Sequence, residues 1–278
     1  MGSSVALRGV ALHRGGPAEV RLVHAEGPVV IAQRGAEARL EALRPVRTSR
    51  GVTVASEDGR VRVDLIEHLL AAIGGLGIGG GLRIETDDDE VPLLDGGALR
   101  FAEALRTLEL PRRRGAAVTP LMRVARDATL DHGRSVYRFT TAKETSLRVE
   151  VDFPAPVGRQ RATWDGEEGD FVARIAPART FGWTHELEAL RAEGRAAEVD
   201  LASVLVFDER GPIAGCRPPG PEEPARHKLL DLIGDLALHG GPPIGVIDAF
   251  APGHTATHAV VARAIGLGVL AIDPVARR

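Results

Sequence analysis

A short apolar fragment occurs twice in this chain and limits the folds that it can adopt. LLAAIGGL at 69–76 and LLDLIGDL at 229–236 agree at two leucines, an isoleucine, a glycine and a final leucine. Each copy follows a strand-rich stretch and lies beside a histidine. A chance match between two apolar helices is the alternative interpretation. The repeat favours a duplicated α+β domain, so that the chain folds as two similar halves.

Periodicity and turn residues place further elements around the two copies. For the first half they predict paired strands over 5–32, a strand edge running into a helix over 61–77, a strand at 81–86 and a helix at 98–109. For the second half they predict strands at 121–129, 135–141, 146–153, 171–177, 204–207 and 244–250, and helices at 184–193, 225–238 and 256–265. The proline-bounded segment PRRRGAAVTP (111–120) is the best boundary and divides the chain into domains 1–115 and 116–278.

Composition excludes several classes of protein. The 278 residues carry a formal net charge of −3, so the charge balance does not indicate a nucleic-acid partner. The single cysteine, Cys216, excludes an internal disulfide and a cysteine-rich zinc site, and it fits a reducing compartment. The N-terminus lacks the apolar segment of a secretory signal, and no apolar run reaches membrane-spanning length. We therefore expect a cytoplasmic protein of enzyme size.

The second copy of the fragment carries an unusual polar face. His227, Asp231 and Asp235 lie at i, i+4 and i+8, so one side of the predicted helix carries an imidazole and two carboxylates. An imidazole and a carboxylate at this spacing can bind one zinc or another divalent first-row ion. A solvated polar face with a helix ion pair is the alternative.

The first copy is preceded by a glutamate and a histidine that a metal site could use. EHLL (67–70) offers His68 as a third ligand beside His227 and Asp231. Three protein ligands leave one zinc position open for water, as a hydrolase requires. Glu67 is adjacent and could take the proton of that water, although a glutamate on a helix face is the alternative.

The segment PGHTATH (252–258) offers a proton donor. His254 follows a glycine in a predicted loop, where its ring can face a cleft. Asp235 lies one helical turn beyond Asp231 and could orient His254 and keep it protonated, ready to donate to a leaving amine. A surface or turn histidine is the alternative.

Lysine is rare in this chain, and one lysine lies beside a candidate ligand. Of 35 basic residues only Lys143 and Lys228 are lysines. Lys228 follows His227 directly. Because an ammonium and a guanidinium are not interchangeable at a site, Lys228 is a candidate functional residue.

Five motifs, in this order, resemble those of one enzyme family. They are EHLLAAIGGLGI, EVPLLDGGA, ARTFGW, ARHKLLDLIGDL and PGH, and GVALHRGG near the start fits too. The sequence is similar to the UDP-3-O-acyl-N-acetylglucosamine deacetylases, zinc amidases that commit the precursor to lipid A. The resemblance spans nearly the whole chain. It implies two similar α+β domains, each a small sheet layer plus helices, with the helices sandwiched between two sheets.

The resemblance also implies a metal and its ligands. Zn²⁺, with Fe²⁺ as the alternative, would be held by His68, His227 and Asp231. Glu67 would be the general base that deprotonates the attacking water.

Further roles follow from the other matched motifs. His254 would be the general acid, supported by Asp235, and the hydroxyl of Thr180 in RTFG would contact the tetrahedral oxyanion. Lys228 and Phe181 would bind the substrate, with His13 of ALHRG near the metal.

The resemblance further implies the partners of the chain. The substrate would be a UDP-linked acylated amino sugar, and any membrane contact would be peripheral, through the acyl chain. A monomer is favoured.

One segment departs from the family pattern. Where the family carries small, flexible residues in an inserted unit that forms the acyl-chain passage, this chain has RAAEVDLASVLVFDE (195–209). Here Ala197, Glu198, Val199 and Asp200 replace those residues. Carboxylates beside an apolar chain would disfavour long acyl groups. A shifted alignment, with Leu201 and Val204 forming the passage, is the alternative.

Three functions therefore stay open. The first is the lipid A deacetylase. The second is a metal-dependent deacylase of another acylated or nucleotide-linked amino sugar, which the altered segment favours. The third is a non-catalytic binding relative, against which the intact Glu67, Thr180 and His254 argue.

Overall fold

A computed structural model describes residues 3–112, 122–192 and 200–272 of the chain. Two α-helices lie in the first range, α1 (Glu67–Gly75) and α2 (Leu99–Arg106), together with a short 3₁₀ helix at Leu40–Ala42. The strands of this range are β1 (Ser4–Val10), β2 (Pro17–His24), β3 (Val30–Gln33), β4 (Ala36–Arg39), β5 (Arg44–Arg47), β6 (Thr53–Ala55), β7 (Arg62–Val63) and β8 (Leu82–Glu85).

The other two ranges hold a longer set of elements. The helices are α3 (Glu168–Asp170), continued by a π-helical turn at Phe171–Ile175, α4 (Thr184–Ala192), α5 (Glu223–Leu238) and α6 (His254–Gly266). The strands are β9 (Met122–Val124), β10 (Ala128–His132), β11 (Ser135–Thr140), β12 (Thr145–Asp152), β13 (Arg159–Trp164), β14 (Phe181–Trp183), β15 (Leu205–Phe207), β16 (Gly245–Phe250) and β17 (Leu270–Ile272).

Two five-stranded sheets share one topology. The first has the order β1-β2-β8-β3-β4 and the second the order β10-β11-β16-β12-β13. In each sheet one pair is parallel, β3 with β8 and β12 with β16, and the other pairs are antiparallel. In each sheet one strand of the parallel pair follows a helix directly in the chain: β8 follows α1, and β16 follows α5. The predicted duplication of an α+β unit is therefore present in the topology.

The two long helices pack against each other at the centre of the molecule. They belong to one hydrophobic core that draws on both sheets. Every residue of α1 is buried, as expected for a helix with apolar or small residues on all sides. The predicted fold class, α+β with helices packed between two sheets, is confirmed. The predicted boundary between residues 115 and 116 lies outside the described residues.

A glycine permits the close approach of α1 and α5. A Cβ atom added to Gly234 would lie 2.3 Å from the backbone oxygen of Glu67. At the matching position of the repeat, a Cβ on Gly74 would lie 3.1 Å from Ile233 Cγ2. The glycine that the two copies share, Gly74 in α1 and Gly234 in α5, thus lets the two helix backbones approach closely beside Glu67.

Some predicted elements were wrong. The strand predicted at 171–177 is helical, because Phe171 and Ile175 are buried at a spacing of four, and a short apolar run does not distinguish helix from strand. The single strand predicted at 121–129 is two strands, β9 and β10. β13, with the charged sequence RQRATW, was not predicted.

The helices of residues 3–112, 122–192 and 200–272 were compared with the requirements of a membrane span. None of them combines the length and the apolar character that a membrane span requires.

Candidate active site

Helices α1 and α5 bring two histidines and an aspartate together. His227 and Asp231 lie one turn apart on α5, with His227 Nε2 3.5 Å from Asp231 Oδ1. His68, in the first turn of α1, places its Nε2 3.9 Å from the same oxygen. One ligand atom from each residue lies within 4.8 Å of the others, and all three side chains are buried.

The two histidines are neutral, and His227 keeps a ring nitrogen that can bind a metal. His227 Nδ1 lies 3.0 Å from the carbonyl oxygen of Ala178, which can only accept, so Nδ1 carries the hydrogen and Nε2 keeps its lone pair. Burial lowers the pKa of His227, and burial together with the neighbouring His227 lowers the pKa of His68 to about 3. Neutral imidazoles are the form that binds a metal.

Asp231 supplies the negative charge of this group. Burial acts to raise its pKa, but the positive charges of Lys228 and His254 outweigh burial and hold the pKa well below its usual range. Oδ2 accepts a hydrogen bond of 2.7 Å from Lys228 Nζ. Oδ1 has no hydrogen-bond partner among the residues that the structure describes.

An unpartnered, buried carboxylate oxygen that faces two neutral imidazoles is costly unless a cation satisfies it. One oxygen and two imidazole nitrogens are also a donor set typical of zinc and related ions. The group of His68, His227 and Asp231 could therefore hold a metal ion.

Glu67 begins α1 and faces the same space. Its Oε2 accepts a hydrogen bond of 2.9 Å from the amide of Val52, which fixes the carboxylate. Its Oε1 lies 4.0 Å from His254 Nε2. Burial raises the pKa of Glu67 to about 7, against the opposing effect of His254. The group therefore exchanges its proton near neutral pH.

His254 begins α6 and is paired with Asp235 of α5. His254 Nδ1 lies 2.9 Å and 3.1 Å from the two carboxylate oxygens of Asp235. Burial acts to lower the pKa of His254, but Asp235 and Asp231 outweigh burial and raise it to about 9. Burial likewise acts to raise the pKa of Asp235, and His254 outweighs it, lowering the value to about 2. At neutral pH the pair is a buried imidazolium and carboxylate.

The other predicted site residues lie around the same cavity, whose volume is about 600 Å³. His13, Thr180, Phe181 and Lys228 line it with the three candidate ligands, Glu67 and His254. Lys228 Nζ is 5.7 Å from the centre of the Phe181 ring, within cation–π range. Asp235 lies behind His254. The structure thus gathers all ten predicted residues in one place.

An aromatic wall of the cavity was predicted only in part: Phe181 was a candidate substrate-binding residue, and Phe153 and Trp183 were missed. Phe153, Phe181 and Trp183 line the cavity, with ring centres 5.3 Å apart for Phe153 and Phe181 and 5.4 Å apart for Phe153 and Trp183. Val204 and Val206 continue the apolar surface. Phe153 and the two valines lie in other segments than Phe181 and Trp183, so no local pattern connects the whole wall. Phe181 and Trp183 share the motif ARTFGW, which was the visible signal of this wall.

A buried ion pair, also missed, connects this wall to α5. Arg179 and Glu223 are both almost wholly buried, with Arg179 Nε 2.8 Å from Glu223 Oε1. The Arg179 backbone amide donates to the same oxygen. Glu223 begins α5, so the pair connects the start of the helix that carries His227 to the strand that carries Phe181.

The altered segment does not place Asp200 against the cavity. Asp200 is exposed, and its carboxylate accepts hydrogen bonds from the Ala202 amide and the Ser203 hydroxyl. The described lining at this point is apolar and includes Val204. Ala197, Glu198 and Val199 lie outside the described residues.

Two similar α+β halves bury a possible metal-binding group, a proton-exchanging glutamate and an imidazolium in one cavity. This combination is typical of metal-assisted hydrolases.

Comparison with known proteins gives the family. A family profile described as LpxC: UDP-3-O-acyl N-acetylglycosamine deacetylase matches residues 1–265. Proteins of Brucella melitensis, Brucella ovis and Brucella abortus named UDP-3-O-acyl-N-acetylglucosamine deacetylase are each 35% identical over 262 residues, 91% of this chain and 90% of the relative. The chain belongs to this family of deacetylases.

Proposed function

We propose that this chain is a zinc-dependent deacetylase that hydrolyses the N-acetyl amide of UDP-3-O-acyl-N-acetylglucosamine in lipid A biosynthesis. The observation that carries the proposal is the buried group of His68, His227 and Asp231, in which an unpartnered carboxylate oxygen faces two neutral imidazoles. Family membership supports the substrate, because the relatives carry this activity in their names.

The metal would be held by His68, His227 and Asp231, whose nitrogen and oxygen atoms face one another. A bound zinc ion would polarise the amide carbonyl and lower the pKa of the attacking water. Lys228 holds the second oxygen of Asp231 and leaves the first directed at the imidazoles.

Glu67 takes the proton of the attacking water. The Val52 amide fixes one carboxylate oxygen and leaves the other in the cavity, facing His254. With a pKa of about 7, Glu67 can accept a proton near neutral pH and release it after the reaction, as a general base must.

His254 gives a proton to the departing nitrogen. Its Nδ1–H is directed to Asp235, so the Nε2–H of the imidazolium faces the cavity. With a pKa of about 9, His254 is protonated at neutral pH. It protonates the glucosamine nitrogen as the C–N bond breaks and acetate leaves.

The remaining cavity residues bind the substrate. Thr180 lines the cavity, and its hydroxyl donates to the oxyanion of the tetrahedral intermediate. Lys228 and His13 contact the polar sugar or diphosphate. Phe181 packs on the substrate beside the apolar wall, which suits an acyl chain.

The test is a deacetylation assay with the full-length chain and UDP-3-O-acyl-N-acetylglucosamine. Protein depleted of metal with a chelator should be inactive, and added Zn²⁺ should restore release of acetate and a free amine. Glu67→Gln, which keeps the shape of the side chain but cannot accept the proton, should bind Zn²⁺ and lose roughly 10²-fold or more in rate.

The altered segment at 195–209 favours one competing function, a deacylase of another amino sugar. UDP-N-acetylglucosamine without the acyl chain and acylated amino sugars without UDP are therefore assayed in parallel. Zinc-dependent hydrolysis of one of these, with the UDP-linked acyl substrate untouched, would replace the proposal. No hydrolysis by zinc-loaded protein would refute it.

A further inference from the structure

Two histidines beside the proposed acid take no part in the chemistry described above. His258 lies one turn beyond His254 on α6 and is buried. His239 directly follows the last residue of α5, four residues beyond Asp235, and is half-buried. Each helix thus directs two residues at spacing i, i+4 into the contact between α5 and α6.

The four side chains form a continuous chain of close polar contacts. His258 Nε2 lies 3.2 Å from Asp235 Oδ1, the same oxygen that lies 2.9 Å from His254 Nδ1. On its other side, His258 Nδ1 lies 2.9 Å from His239 Nε2. Asp235 therefore stands between two imidazoles, and a third imidazole supports the second one.

The chemistry of the carboxylate fixes the direction of these contacts. An ionised carboxylate only accepts, so His258 must carry its hydrogen on Nε2 to interact favourably with Asp235. His258 Nδ1 and His239 Nε2 share one hydrogen, so one of these two nitrogens donates and the other accepts. Burial and the neighbouring His258 lower the pKa of His239 to about 4, which agrees with a neutral ring that has one donor and one acceptor.

Asp235 requires more than one donor. It is 2% exposed, and a buried carboxylate with a single partner keeps unsatisfied acceptor capacity. Its two oxygens lie almost equally far from His254 Nδ1, at 2.9 Å and 3.1 Å, so His254 alone defines the carboxylate plane poorly. His258 Nε2, 3.2 Å from Oδ1 although off the direction of an ideal hydrogen bond, is the group placed to limit this freedom.

We propose that His258, oriented by His239, is a positioning residue that holds the Asp235 carboxylate in line with His254. This inference rests on the proposed function, in which His254 is the general acid. His258 itself need not touch the substrate. It acts through Asp235, and His239 acts through His258.

The first test measures the imidazoles directly in zinc-loaded protein. NMR of ¹⁵N-histidine-labelled protein reports which ring nitrogen carries hydrogen and how strongly each N–H is bonded. We expect Nε2–H on His258 and a bonded Nδ1–H on His254. His258→Leu should change the His254 Nδ1–H signal, and His258→Gln, whose amide can reach the place of Nε2, should largely restore it.

The second test separates positioning from binding. His258→Leu should lower kcat by about 10- to 100-fold, as when an outer hydrogen-bond partner of a site is removed, with little change in KM and zinc content. His258→Gln should recover most of the rate. The matched control is Val261→Ala, a buried apolar residue of the same helix, which reduces packing and should leave kcat and the His254 signal unchanged.

His239→Leu keeps the proposal testable if His258→Leu does not fold, because His239 is half-buried at a helix end. It should change the His258 tautomer and lower kcat less than His258→Leu. The positioning role would be refuted if the His254 Nδ1–H signal were unchanged in both His258→Leu and His239→Leu. It would also be refuted if His258→Gln restored neither this signal nor kcat relative to His258→Leu. Wild-type protein without deacetylase activity would refute the proposed function alone, since the NMR test is independent of turnover.

Discussion

Replacing Gly234 with alanine should push apart the two helices that carry the site. The new Cβ would lie 2.3 Å from the Glu67 backbone oxygen, about 1 Å less than the ~3.3 Å at which carbon and carbonyl oxygen meet. Because that oxygen belongs to helix backbone, it cannot rotate away. Helix α1 must move by about 1 Å, and Glu67 and His68 must move with it.

The expected loss of stability is the difference of two effects. Alanine is better than glycine within a helix by about 1 kcal/mol. Overpacking a core costs about 1–3 kcal/mol, and we expect the upper end because the clash is with backbone. Gly234→Ala should therefore reduce the free energy of unfolding by about 2 kcal/mol. At about 2–4 °C per kcal/mol, Tm should fall by roughly 4–8 °C.

The same shift should impair the site. A displacement of about 1 Å between reacting groups can cost on the order of 10²-fold in rate. Since His68 is on α1 and its partner Asp231 on α5, zinc affinity should fall as well. Urea unfolding, zinc titration against a competing chelator, and kcat/KM for the UDP-linked acyl substrate measure the three effects.

Two glycines provide matched controls. Gly74→Ala, at the equivalent position of the repeat, places its Cβ 3.1 Å from a side-chain carbon and 3.2 Å from a backbone oxygen of Ile233, so its effect should be smaller. Gly266→Ala, at the end of α6 with no atom within 4 Å of the added Cβ, should leave the protein as stable or slightly more so. If Gly234→Ala behaves like Gly266→Ala in stability and zinc affinity, the reasoning is wrong.

Three other expectations concern the ligands, the acid and the apolar wall. His227→Ala should abolish stoichiometric zinc in elemental analysis, whereas His132→Ala, also in the cavity, should keep it; full zinc content in His227→Ala would exclude this site. Asp235→Asn removes the charge that raises the pKa of His254. Because His254 must be protonated to act as the acid, the variant should lose activity at a lower pH than the wild-type protein does. An alkaline limb of the kcat/KM profile at the wild-type pH would contradict the pairing of Asp235 with His254. Because Val204 rather than Asp200 lines the apolar wall, kcat/KM should rise with the length of the acyl chain until the wall is covered. The expected gain is up to ~0.8 kcal/mol, or about fourfold, for each methylene. A flat or falling series would contradict this and support the expectation from the sequence that long acyl groups are disfavoured.

Local patterns in the sequence were sufficient for most helices and for the duplication. The spacing in the two copies of the fragment predicted α1 and α5, and the shared topology of the two sheets agrees with the repeat. The same rules failed at 171–177, where the buried positions of a short apolar run fit either helix or strand. Tertiary burial of Phe171 and Ile175 decided for helix.

The candidate ligands were visible because two of them share one helix face and the third lies directly before the other copy of the repeat. Asp235 was visible on the same helix face, and His254 was visible as a histidine that follows a glycine in a predicted loop. His239 and His258 were equally present in the sequence at spacing i, i+4 from Asp235 and His254. Their connection was missed because it crosses from one helix to another.

The sequence by itself determined which residues share a helix face, since that depends only on 3.6 residues per turn. Distances between helices depend on packing, and here they are set by contacts such as that of Gly234 with the Glu67 backbone. The tertiary structure alone therefore decided that His68 faces Asp231 and that Ala178 fixes the tautomer of His227. It alone decided the charges as well, because the pKa values of Glu67 and His254 depend on how much water and which neighbours surround each group once the chain has folded.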